Sequence, residues 1–406
     1  MVLVEDGVRV DVRRGRHDRG GRPAEDDARP DARVGRDGPL ERVASTVGHV
    51  RGRRTPRAKS CVLVSPHESA CRRGRTPGAT TGRPLLAGAR RGAVTDADHC
   101  NAGFERLFAG DGLTVGTGFP LTDNRQSRPP VGREVALAAH AEAVGFDGLW
   151  ARDVPFRWPR FRDTGQTYDT FPWLSHVAAH TEDVALGTAS VVLPLRHPAH
   201  VAKAAATVDR LSGGRLVLGV ATGDRDPEYD AFGADADERG ARFRESVAAM
   251  RALWRGEFPA VDFGGDRGGL EGDLDLVPKP ASGTLPLLPT GHSRQTVEWL
   301  GANGDGWLFY HLPEDTLESY LADWRAAAGE KPFAMALRLE LADDPTADPE
   351  HVHQGYRAGN EWVVDFLRRL ETAGVDHVLV GVDEAREESD PERALTRFGE
   401  TVLDRL

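Results

Sequence analysis

The 406 residues are 39% hydrophobic and 28% charged, the balance of a globular chain with a sizeable core. No run of eighteen apolar residues occurs and no apolar segment follows the basic residues of the N-terminus, which argues against a membrane span or secretory signal and predicts a cytoplasmic protein. The net charge of −11 is split: residues 1–100 hold 21 basic and 13 acidic side chains, the remainder 31 and 50, and so acidic a body repels phosphate backbones and excludes a nucleic-acid partner.

Residues 1–95 are rich in Arg, Gly, Pro and Asp, with apolar residues scattered rather than periodic. Such a segment cannot bury enough surface to offset chain entropy, so it is expected to be a disordered extension or the product of a mis-assigned start. Cys61, Cys71 and Cys100 lie in or beside it; their spacings fit no paired-cysteine metal motif, and free thiols are expected. Only four of the 52 basic residues are Lys, which suits a high-salt cytoplasm and a GC-rich genome alike.

From residue 112 the character changes. Strands are predicted at 113–118, 146–150, 184–190, 215–221, 285–290, 306–309, 332–341 and 377–382. Helices are predicted at 133–144, 171–180, 199–211, 239–254, 294–302, 313–328, 355–372 and 391–405. Residues 256–285, rich in Gly and Asp, read as an inserted excursion. Eight strands, each followed by a helix within about 300 residues, predict a (β/α)8 barrel over 101–406. An open doubly wound sheet fits less well, because strand 1 lacks a glycine-rich turn into a helix.

Barrel active sites lie where strands run into loops at their C-terminal ends. There the sequence places Gly118-Phe119-Pro120, Arg152-Asp153, Ser190 to Pro198, Thr222 to Tyr229, Gly291 to Arg294 and Tyr310-His311. The stretch Thr290-Gly291-His292-Ser293 is predicted to lead straight into a helix, presenting unpaired amides as a phosphate cradle with Ser293 and Arg294 beside them. Ordinary capping by Ser293 fits the same residues. No metal constellation and no Gly-x-Ser-x-Gly elbow is present; His351 and His353 read as solvated loop residues. An organic cofactor is therefore expected to supply the reactivity.

The blocks 143–150, 188–198, 209–220 and 291–294, with Gly304-Asp305-Gly306-Trp307, resemble luciferase-like monooxygenases, and 103–108 is similar to the start of a bacterial subgroup of luciferase-type oxidoreductases. The resemblance runs from about 101 to 382. It implies a TIM barrel with an insertion, often a homodimer, binding FMN or the deazaflavin coenzyme F420. Carried over by position, Thr290, Gly291, His292, Ser293 and Arg294 would hold the cofactor phosphate. Ala189 and Ser190 would lie beneath the ring, and Thr222, Gly223, Asp224 and Tyr229 along its edge. The main expectation is a monooxygenase using reduced FMN and O2 on a small organic substrate. An F420-dependent dehydrogenase and a silent flavin binder are the alternatives. His311 is expected either to act as acid or base or to be a surface residue, and Arg152 and Asp153 either to pair or to bind substrate.

Overall fold

A computed structural model describes residues 101–122, 130–158, 160, 168–382 and 390–406, all within the unit Ala87–Leu406. The expectations for residues 1–95 and for the three cysteines lie outside the described residues. No described helix is long and apolar enough to cross a membrane.

In chain order the elements are α1 (Ala102–Phe108), β1 (Thr114–Gly118), α2 (Val131–Ala143), β2 (Gly148–Ala151), α3 (Thr170–Ala178), β3 (Ala185–Val192), α4 (Pro198–Leu211), β4 (Leu216–Ala221), α5 (Asp226–Phe232) and α6 (Arg239–Arg255). Then come β5 (Ala260–Asp262), β6 (Gly269–Glu271), β7 (Leu287–Pro289), α7 (Val297–Asn303), β8 (Trp307–Tyr310), α8 (Glu314–Ala328), β9 (Phe333–Leu341), β10 (Glu350–Val352), β11 (Gly355–Ala358), α9 (Asn360–Ala373), β12 (His377–Val382) and α10 (Pro391–Thr401). Eight parallel strands run β8-β9-β12-β1-β2-β3-β4-β7. A bridge between Thr290 and Leu308, with the Gly291 amide donating to the Leu308 carbonyl at 2.8 Å, joins β7 to β8 and closes the ring. The eight-stranded barrel is as expected.

Trp150 of β2 fills the lower interior, 1% exposed. Glycines on β1, β2 and β3 make room for its indole: a Cβ on Gly116, Gly148 or Gly187 would lie 2.7, 2.9 or 2.2 Å from it. The Trp150 Nε1 donates to His377 Nε2 at 3.1 Å, so the His377 proton sits on Nδ1, 2.8 Å from Thr114 Oγ1. Thr114 Oγ1 in turn donates to the Leu107 carbonyl of α1, whose Phe104 and Leu107 plug the base. Full burial drives the His377 pKa down to about 3, so the ring is neutral. Larger side chains occupy the layer between strands and helices, where Trp254, Trp307, Trp324 and Phe398 are fully buried. There the tryptophans serve as core, as packing propensity suggests.

Two expectations need correction. The predicted helix at 355–372 is strand β11 followed by α9. Gly355 pairs with Arg338 of β9 so closely that a Cβ would lie 1.9 Å from the Arg338 carbonyl oxygen, an approach that only glycine permits. His351 lies in strand β10, antiparallel to β11, rather than in a loop. The excursion holds an antiparallel hairpin, β5–β6, and the long loop after β4 contains α5.

Candidate active site

The loops after β3, β4 and β7 bring most of the expected residues together. The peptide between Ala189 and Ser190 is cis, and the β3–β4 ladder shifts between Thr188 and Val191. Ser190 Oγ is hydrogen-bonded to Thr290 Oγ1, which ties the ends of β3 and β7 together across β4. At the end of β4, Gly223 holds a φ of 77°, and a Cβ there would meet Val192 at 2.8 Å. Asp224 is exposed just beyond it. Tyr229 is 1% exposed and donates its hydroxyl to the Thr222 carbonyl. Burial pushes the phenol up to about 12, so it stays a donor that fixes the loop and does not face the mouth.

The β7 exit differs from the expected helix N-terminus. Helix α7 starts later, capped by Thr296, whose hydroxyl accepts from the Trp299 amide at 3.3 Å. Between strand and helix, Gly291, Ser293 and Arg294 hold φ values of 56°, 46° and 56°. Ser293 Oγ donates to the Thr290 carbonyl at 2.8 Å, so this hydroxyl braces the turn. Among the described residues the amides of His292, Ser293 and Arg294 enter no hydrogen bond. Successive free amides in such a turn have the geometry that can hold an anion, and the exposed Arg294 lies in the same turn. The His292 ring is exposed and rests on Trp307 and Phe309, 5.6 Å from each, in the helix layer; its contribution to the turn is backbone.

Asp153 is in an ion pair, but its partner is Arg196 and not the expected Arg152. Arg196 donates to it from Nε at 2.9 Å and Nη2 at 2.6 Å, and the Val192 amide donates at 3.1 Å. Asp169 adds a second carboxylate at 3.1 Å, and the two raise the Arg196 pKa against the opposing effect of burial. This lattice clamps the β2 exit to the β3 exit. Nearby, Glu228 is 5% exposed with Oε1 unbonded; burial foremost raises its pKa, Asp153 and Asp224 add to the rise, and Arg225 and Arg152 oppose it.

Tyr310, at the end of β8, borders this region: desolvation raises its hydroxyl pKa, the Asp224 charge adds to the rise and Arg152 opposes it. Sequence reading set Tyr310 on the rim without assigning it a role. It missed Arg338 and Glu340 of β9, which face one another at 3.3 Å. Two charges at i and i+2 in an otherwise apolar strand were the available signal, since alternation puts both on one face with interior Ala334. His311 sits with Tyr356, ring centroids 5.3 Å apart, its Nε2 buried without a partner. Burial and the neighbouring His351 lower its pKa, which favours the neutral imidazole.

A family model described as luciferase-like monooxygenase matches residues 113–401. The chain belongs to this family. The luciferase-like barrel is 32% identical over 253 residues to an F420-dependent glucose-6-phosphate dehydrogenase of Beutenbergia cavernae, covering 60% of this chain and 72% of that one. It is 33% identical over 218 residues to an F420-dependent hydroxymycolic acid dehydrogenase of Mycobacterium tuberculosis, covering 52% and 58%. Among solved structures, monooxygenase RslO1 from Streptomyces bottropensis matches with a TM-score of 0.60 at 20% identity, covering 72% and 99%. An F420-dependent secondary alcohol dehydrogenase in complex with an F420-acetone adduct matches with 0.59 at 21%, covering 73% and 99%. These two structural likenesses carry the fold. The luciferase-like barrel is an oxidoreductase.

Proposed function

We propose that this chain is an F420-dependent dehydrogenase that moves hydride between an alcohol and the deazaflavin. The observation that carries the reading is the left-handed turn at Gly291 to Arg294, whose free amides suit the phosphate tail of a planar redox cofactor. The choice of deazaflavin over FMN is supported by curated relatives above 30% identity whose names are F420-dependent. Monooxygenases are found among the structural neighbours at 20% and 17% identity, so FMN with O2, the main expectation from sequence, yields to its alternative.

Bound there, the deazaflavin would supply a two-electron hydride acceptor. The chain supplies placement and proton handling. Amides 292–294 and Arg294 would hold the phosphate, and the short side chains of Ala189 and Ser190 would leave a flat floor for the ring. Oxidising an alcohol to a ketone removes a hydride from carbon and a proton from oxygen, so a base is required. Asp224, exposed at the mouth and electrostatically linked to Tyr310, is assigned that role in place of His311.

Fluorescence-quenching titrations with F420 and with FMN test the cofactor choice. The expected result is micromolar binding of F420 and at least tenfold weaker binding of FMN. Tighter binding of FMN would return the protein to the monooxygenase reading.

A further inference from the structure

Resting on the dehydrogenase reading, we infer that the substrate is an uncharged alcohol or ketone with an apolar body, and that Phe156 and Phe232 select it. Phe156 lies in the loop after β2 and Phe232 ends α5. Their rings sit 5.6 Å apart at 43°, and they are 49% and 48% exposed. Neither is a loose surface residue. Arg225, 4% exposed, donates to the Phe156 carbonyl at 3.3 Å, and Tyr229 anchors α5 through the Thr222 carbonyl. Helix α5 packs on the turn Leu193–Leu195 that leaves β3, so the pair stands on loops at the same end of the barrel as the β3 exit. Two contacting phenyl rings left half in water at a site entrance form a surface that an apolar ligand would cover.

The charges point the same way. A phosphorylated sugar needs cations not already committed to carboxylates. Among the described residues of the mouth, Arg196 is matched by Asp153 and Asp169, and Arg338 by Glu340. Arg225 and Arg152 lie in the field of Asp224 and Glu228. Arg294 belongs to the cofactor turn. Of the substrates named among the relatives, a secondary alcohol suits this entrance and glucose 6-phosphate does not.

The experiment compares isopropanol, the alcohol of benzylacetone and glucose 6-phosphate as substrates of the full chain with F420. Alongside it, calorimetric titrations of benzylacetone and glucose 6-phosphate are run with and without F420. The expected kcat/KM for the arylalkyl alcohol exceeds that for isopropanol at least tenfold, and glucose 6-phosphate is inert. In F156S/F232S that ratio falls about tenfold, the worth of covering one ring face, and benzylacetone binds correspondingly weaker. F156L/F232L restores most of both. A preference for glucose 6-phosphate, or a ratio and a benzylacetone affinity indifferent to the serine pair, overturns the inference. Failure of the dehydrogenase reading shows separately, as absent F420 turnover, while the benzylacetone titration still decides whether the phenylalanines bind apolar ligands.

Discussion

Ser293 and Arg294 occupy left-handed backbone that costs a non-glycine residue on the order of 1–3 kcal/mol, a cost tolerated where geometry is functional. The Arg294 side chain is exposed. Arg294→Ala is therefore expected to weaken F420 binding about tenfold, ~1.4 kcal/mol, with little change in thermal midpoint; the quenching titration and a melting curve together check this. His377 offers a pH test. Its folded pKa of about 3 lies below the ordinary value near 6.5, so the unfolded chain takes up a proton that the folded chain refuses. Its neutral form costs nothing above about pH 7. As pH falls from about 6.5 toward 3, stability drops by up to about 1.4 kcal/mol per unit. Urea denaturation at pH 7 and pH 5 measures the drop, and His377→Gln, which keeps an acceptor for Trp150 without a titrating ring, is expected to shrink it.

The barrel interior depends on glycine wherever the Trp150 indole approaches a strand. Gly187→Ala would place a Cβ 2.2 Å from that ring and is expected to destabilise the fold by about 3 kcal/mol. In Gly187→Ala/Trp150→Leu the two costs should add to less than their sum, because the smaller side chain frees the space; chemical denaturation of the four proteins supplies the cycle. Elements with strong periodicity were legible in the sequence, including all eight barrel strands. The start of α7 was not: Ser293-Arg294 reads like a cap followed by a helix former, yet both adopt positive φ and Thr296 caps three residues later. Nor was β11, since Gly355-Tyr356-Arg357-Ala358 is too short to establish a period and its strand character comes from pairing with β9. Placement at the strand exits was legible where strand ends alone decide, as at Ala189, Thr222 and Thr290. The sequence carried no sign that Tyr229 would turn inward onto the Thr222 carbonyl, because an aromatic at a strand exit suits the rim as well as the core, nor that His311 would pack with Tyr356, a partner distant in the chain.

Ring closure uses only strands between Thr114 and Val382, and α1 closes the base. Asn101 is the fastening point of that end. It is 4% exposed, caps α1 through the Phe104 amide, and donates to Asp209 at 3.0 Å and the Leu216 carbonyl at 2.7 Å. Removing residues 1–95 is therefore expected to leave cofactor binding and the thermal midpoint close to those of the full chain, whereas removal through Asn101 should lower the midpoint by several degrees. Differential scanning calorimetry of the two truncations separates these outcomes. At the scale of the whole molecule, the most direct test is a single turnover without oxygen: the protein, F420 and a secondary alcohol mixed anaerobically in a stopped-flow spectrometer. Hydride transfer is expected to bleach the visible band of the deazaflavin with a matching yield of ketone. An unchanged band without oxygen, together with substrate oxygenation and O2 uptake when reduced FMN is supplied, would contradict it.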